Sequence, residues 1–240
     1  MRLARVTVFA GHYGSGKTSL AIAYALWAKR QRARVVLCDL DIVNPYFCMK
    51  DAAETLRGAD IRLITSCLTN TNVDAPAFPA EARILFDDLD VTGIIDLGGD
   101  DRGALALGRY SGLLQSGNGY EMLLVANFYR PLTQSLDDLC EIKSEIEAAG
   151  KVSFTGLINN SNLATETTLQ DVLATTSLAA EASEKLALPL KMTVLERRLA
   201  PNKETEEKAR MVLGEIFPLD IHRKQNWKSQ SSGRGREWQL

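Results

Sequence analysis

No apolar run in the 240-residue chain approaches the roughly 20 residues that a helix needs to cross a bilayer, so no membrane span is expected. Charge of one sign is also missing. The 28 Lys and Arg residues nearly balance 30 Asp and Glu, and a net charge of −2 gives no clear signal for nucleic acid or an anionic membrane. Cysteine is scarce. Its four positions, Cys38, Cys48, Cys67 and Cys140, form no C-x-x-C or C-x-C pair. Reduced, mostly buried thiols are expected, with Cys38 in a strand pattern and Cys140 on the apolar side of a helix pattern. A metal bridging two subunits through one cysteine has no support. No charged-then-apolar leader precedes the first strand-like run, and a cytoplasmic location is the corresponding expectation. What the chain does have is 45% apolar residues, enough to bury one large domain.

Those apolar residues fall in alternating patterns. Strand-like runs cover 5–10, 34–39, 61–66, 92–97, 122–127, 153–159 and 190–195, and several are apolar nearly throughout. Unbroken runs of this kind suit strands covered on both faces. Helical patterns lie between them at 19–30, 50–57, 80–89, 102–114, 132–149 and 167–188, with a last helix over 204–216 that stops before Pro218. Alternation predicts a mainly parallel sheet of about seven strands inside a three-layer αβα domain, with ligands at the C-terminal ends of the strands. Residues 1–220 form that domain. The stretch 66–79, rich in Thr, Asn and Pro, reads as a functional or mobile loop. Residues 221–240 form a polar, basic tail read as disordered, or alternatively as a partner-binding segment using Trp227 and Trp238.

Between the first strand and the first helix, Gly11-His12-Tyr13-Gly14-Ser15-Gly16-Lys17-Thr18 reads G-x-x-x-x-G-K-T. This is a phosphate-binding loop in the strand-loop-helix setting that makes it work. Its glycines let successive main-chain N–H groups turn inward on phosphate oxygens, and the helix that follows, entered at Ser19, points its positive end at the same place. Lys17 brings a full positive charge to the outer phosphates, and the Thr18 hydroxyl is a ligand for Mg2+. A nucleoside triphosphate is the ligand that such a loop takes.

Polar groups gather at the other strand ends. The second strand ends Asp39-Leu40-Asp41, where one carboxylate can hold Mg2+ through water and the other can orient the attacking water. The fourth ends Asp96-Leu97-Gly98-Gly99, an acid behind the metal followed by glycines able to approach or leave a γ-phosphate; Asp100 and Asp101 can cap the next helix. The sixth ends Asn159-Asn160-Ser161-Asn162. An amide offers a donor and an acceptor to a purine edge, and no Asp follows to take the ring N–H of guanine, so adenine is favoured.

In order and content these pieces resemble the MinD/ParA-like P-loop ATPases, the CobQ/CobB/MinD/ParA nucleotide-binding group. The resemblance spans roughly 4–216 and includes Asn127 at a strand end, Asn160 at the base-contacting position, and a strand-loop at Val194-Leu195-Glu196-Arg197 that closes over the base. It implies a P-loop NTPase fold with ATP and Mg2+ as cofactors. It also implies that Lys17 binds the β- and γ-phosphates, that Thr18 and Asp39 serve the metal with Asp96 behind them, and that Asp41 positions the hydrolytic water. Members commonly dimerise face to face around ATP. The second loop lysine of the group is replaced here by His12, so the cross-subunit contact made by that lysine does not carry over. The group's basic membrane-binding helix has no counterpart in the last helix.

The leading expectation is a slow Mg2+-dependent ATPase working as a nucleotide switch, with a protein partner or a nucleotide-dependent homodimer completing its site. The alternative on the same fold is an ATP-dependent small-molecule transferase or ligase of the amidoligase or dethiobiotin-synthetase type, with Arg130 and the 66–79 loop lining its pocket. A binding module without useful hydrolysis is a third reading.

Overall fold

In the computed structural model, residues 3–40, 49–65, 80–99, 101–116 and 119–220 are described. Asp41, Asp100, Cys48, Cys67, the 66–79 loop and the 221–240 tail, all singled out in the sequence, lie outside the described residues.

The strands are β1 (Val6–Ala10), β2 (Val35–Leu40), β3 (Arg62–Thr65), β4 (Thr92–Leu97), β5 (Tyr120–Ala126), β6 (Gly156–Asn159), β7 (Leu190–Glu196) and β8 (Ile216–Leu219). The helices are α1 (Lys17–Lys29), α2 (Met49–Gly58), α3 (Ile84–Asp87), α4 (Asp101–Gly108), α5 (Ser111–Ser116), α6 (Leu136–Gly150), α7 (Leu169–Ala174), α8 (Thr176–Leu186) and α9 (Lys203–Leu213). Every strand pairing is parallel, and the sheet runs β3-β2-β4-β1-β5-β6-β7-β8.

Strands β1, β2, β4 and β6 are buried along their whole length, as their unbroken apolar runs require. Alternate residues feed two cores. On one face Phe9, Leu37 and Ile94 pack against Leu20, Ala21, Tyr24 and Ala25 of α1 and Leu56 of α2. On the other Val8, Cys38, Ile95 and Leu124 pack against Leu107 of α4, Leu139 and Ile142 of α6, and Ala182 of α8. Tyr24 anchors the first core: its ring meets Phe9 edge-on at 5.1 Å and lies 5.7 Å from Phe217. Burial pushes its hydroxyl up to about 12, so it stays neutral.

The topology puts the strands that follow β1 on two sides of it. Those up to β4 lie on one side and β5 to β8 on the other. The chain therefore reverses direction across the sheet at β1, and the crevice outside the C-terminal end of that strand is where such sheets bind ligands.

Several elements differ from the sequence expectation. The helix expected over 102–114 is two, α4 and α5, that over 80–89 is a 3-10 turn at Ala80–Arg83 followed by the short α3, and the strand expected from 153 begins at Gly156. The last helix ends at Leu213 rather than continuing to Ile216, and Ile216–Leu219 forms an eighth strand. Gly214, at φ 74°, turns the chain, with its N–H closing on Arg210 O at 2.9 Å. Pro218 is tolerated there because β8 is the edge strand, where a missing ladder donor costs little. The long helix expected over 167–188 is two, broken at Thr175, whose hydroxyl bonds Val172 O and accepts from Asn159 Nδ2. The helix expected from 132 starts at Leu136, because Ser135 and Asp138 form a reciprocal capping box.

Tyr24 is 1% exposed. Tyr24→Ala is expected to cost about 3–5 kcal/mol, measured as a lowered urea midpoint at unchanged slope.

Candidate nucleotide-binding site

The loop 11–16 leaves β1 in the crevice between the ends of β4 and β5. Gly11 enters against the neighbouring strand, where a Cβ would stand 2.6 Å from Val125 O. Gly16 caps α1 at φ 86°, a conformation that glycine adopts freely and other residues rarely. A Cβ there would also lie 2.5 Å from Asn160 Nδ2. Helices α6, α7 and α9 each have a side-chain cap, whereas α1 has neither a side-chain cap nor an acidic residue in its first turn. Its N-terminal amides and positive dipole end are thus left for a ligand of opposite charge.

Lys17 is only 5% exposed and folds back over the loop, donating from Nζ to His12 O at 3.1 Å. Ser15 N donates to the same carbonyl at 3.3 Å. The Ser15 hydroxyl is buried and has no hydrogen-bond partner among the described residues. Tyr13 and Ser19 are exposed, while His12 and Thr18 are half-buried.

Asp39 and Asp96 stand side by side, paired in register at the ends of β2 and β4. Both are buried, and strand alternation puts them on the face of Leu37 and Ile94, the one α1 covers. Cys38 faces the other way; burial pushes its thiol pKa up, and the charges of Asp39 and Asp96 push it further. Two adjacent carboxylates with a threonine hydroxyl at the start of α1 are hard oxygen donors, the set that suits Mg2+. Among the described residues no group of three or more His, Cys, Asp or Glu forms a ready metal cage.

Asn160, expected to read the base, is 3% exposed, and its Nδ2 donates to Ser15 O at 2.6 Å. In this structure it clamps the end of β6 to the phosphate loop. Its neighbours are braces too. Asn127 Oδ1 accepts from Tyr129 N and Asn162 N, and Asn127 Nδ2 donates to Asn162 O. Asn159 Oδ1 accepts from Ser161 N. At the end of β4, Gly99 lies against the loop backbone, where a Cβ would stand 2.6 Å from Tyr13 N. The sequence flagged Gly99 and Asn127 by position, but nothing local in it shows that they touch or brace the loop. The cavity lined by Val36, Asp60, Arg62 and Val91 lies elsewhere, and its rim charges are satisfied by Lys29 and Glu81.

No protein-family model matches the chain, and no curated protein matches its sequence. Solved structures do. FtsY from Thermotoga maritima aligns at 20% identity over 88% of this chain and 68% of its own, with a TM-score of 0.54. FtsY from Mycoplasma mycoides aligns at 19% identity over 80% of this chain, TM-score 0.52, and this chain spans 59% of its length. FlhF, solved in complex with GTP and Mg2+, aligns at 16% identity over 80% of this chain and 66% of its own, TM-score 0.50. The fold is that of the P-loop NTPases. These neighbours are not MinD/ParA-like proteins, so the narrower resemblance rests on the sequence motifs alone.

Gly99→Ala is expected to cost about 1–3 kcal/mol by urea unfolding and to shift the Tyr13 amide resonance, since the added methyl must displace main chain. Asn160→Ala is expected to cost about 1–3 kcal/mol by leaving Ser15 O without its donor.

Proposed function

We propose that this P-loop NTPase-fold protein binds ATP with Mg2+ and hydrolyses it slowly, as a nucleotide switch of the MinD/ParA-like group. The observation that carries the reading is the uncapped start of α1, fed by the loop 11–16, with Asp39 and Asp96 adjacent on the face that α1 covers. In this reading the main-chain amides and Lys17 hold the phosphates. Thr18 and Asp39 serve the metal with Asp96 behind them, and Asp41 positions the attacking water. With so little covalent chemistry for the protein to do, turnover is slow until a protein partner or a second copy completes the site. Among the described residues no helix is long and apolar enough to cross a membrane.

A switch needs elements that feel the outer phosphate. The close packing of Gly99 on Tyr13 supports this, because movement of the loop cannot leave the end of β4 unmoved. Gly103 extends the linkage: a Cβ there would meet Gly98 N and Leu40 O at 3.1 Å, so the first turn of α4 rests on the ends of both β4 and β2. The adenine preference rests on residue type: Asn160-Ser161-Asn162 brings no carboxylate for the ring N–H of guanine, while Asn160 Nδ2, Ser161 Oγ and Asn162 Nδ2 are engaged within the protein.

Steady-state hydrolysis tests the assignment. Lys17→Ala is expected to abolish turnover with either nucleotide. Asp41→Ala is expected to keep binding of magnesium-ATP and to lose turnover; normal hydrolysis by that variant contradicts the role given to Asp41. Tighter binding of GTP than of ATP by the wild type contradicts the adenine preference and leaves the phosphate site standing.

A further inference from the structure

Between β5 and α6 the chain makes a turn fixed by main-chain and side-chain hydrogen bonds. Arg130 N donates to Asn127 O at 3.0 Å and Thr133 N to Arg130 O at 3.0 Å. Asn127 Oδ1 accepts from Tyr129 N at 3.1 Å. The turn is also tied sideways, through Phe128 N to Ser161 Oγ at 3.0 Å and through the Tyr129 hydroxyl to Asp171 O at 2.8 Å. A turn held at both ends and across its middle fixes where the side chain at its tip leaves the main chain.

That side chain is Arg130. It is exposed, and its Cδ and Nε lie 3.9 Å from where a Cβ on Gly14 would stand, so it runs along the phosphate loop itself. Several surface arginines of this chain are spent on carboxylates, Arg34 on Asp88, Arg62 on Glu81, Arg83 on Asp87 and Arg197 on Asp220, while the exposed Arg30, Arg32, Arg57 and Arg109 have no such partner among the described residues; what sets Arg130 apart is its place against Gly14. Among the described residues no Asp or Glu pairs with Arg130. Two cationic side chains, Lys17 and Arg130, thus converge on a loop whose helix already presents positive charge.

We propose that Arg130 is a phosphate-binding residue of the nucleotide site, its guanidinium taking oxygens of the polyphosphate bound in the loop. The proposal deepens the nucleotide reading above and rests on it. An arginine suits the task because its planar fork can bind two phosphate oxygens at once, which the single ammonium of Lys17 cannot. The stiff turn fixes the main chain from which the side chain leaves, so only side-chain torsions remain to be ordered when the ligand arrives.

Calorimetric titration with the magnesium complex of an unhydrolysable ATP mimic, at low and at raised salt, tests the assignment. Arg130→Ala is expected to lower the affinity by about tenfold or more and to flatten its salt dependence. The control Arg83→Ala removes the same charge from a guanidinium already paired with Asp87 and is expected to stay within about twofold of wild type. Should Arg130→Ala fail to fold, Arg130→Gln removes the charge at similar length and reads the same loss. Affinity and salt dependence equal to those of Arg83→Ala, in whichever variant folds, overturn the proposal while leaving the nucleotide reading intact. A wild type that binds neither ATP nor GTP mimics overturns that reading itself.

Discussion

Where β1 ends, the chain leaves the sheet through a gap that admits main chain and nothing more. Gly11 presses on Val125 O, Gly16 on the amide of Asn160, and Gly99 reaches in from β4 to the Tyr13 amide; a methyl at any of the three would come within 2.6 Å of its neighbour. Close backbone approach from three directions leaves the loop little freedom to close on itself. Within the loop Ser15 N donates to His12 O, and the uncapped start of α1 stands ready for a ligand. Everything else proposed for this protein, the metal carboxylates, the switch and the role of Arg130, takes its position from that constrained passage.

The sheet supplies the rigidity. Both faces are covered, and the aromatic cluster of Phe9, Tyr24 and Phe217 ties α1 to β1 and to the edge strand β8. The helix that aims its dipole at the loop is therefore the helix most firmly seated in the core. Its seating fixes the distance between the loop and the carboxylates of β2 and β4. Their parallel register sets Asp39 beside Asp96, and alternation with Leu37 and Ile94 turns both toward α1. Burial of two carboxylates together costs stability that hydrophobic residues would not, and such costs are characteristic of sites rather than of scaffolding.

How much of this could be read from the sequence depends on how local the physics is. The strand-loop-helix setting of residues 11–18 was legible because its glycines, lysine and threonine lie close together in the chain and involve one strand and one helix. The buried strands were legible because apolar runs such as Val35–Leu40 have no exposed face to hide. Asp39 and Asp96 stood out as acids ending such runs. The eighth strand was missed because the helix pattern was carried through Gly214 to 216 with Pro218 as its stop, and only the neighbouring β7 makes a strand of four residues worthwhile. The break at Thr175 was missed because it depends on a bond from Asn159 in another element. Asn160 is the sharpest case. Residue type suggested a base contact, but its partner Ser15 is 145 residues away, and no local pattern encodes so distant a bond.

Amide hydrogen exchange resolved along the chain measures the central claim most directly, because the claim concerns main-chain N–H groups. With millimolar magnesium and an unhydrolysable ATP mimic, the amides of residues 11–19 are predicted to slow sharply, with weaker protection at 98–99. No change in those amides with either ATP or GTP mimics would contradict the account.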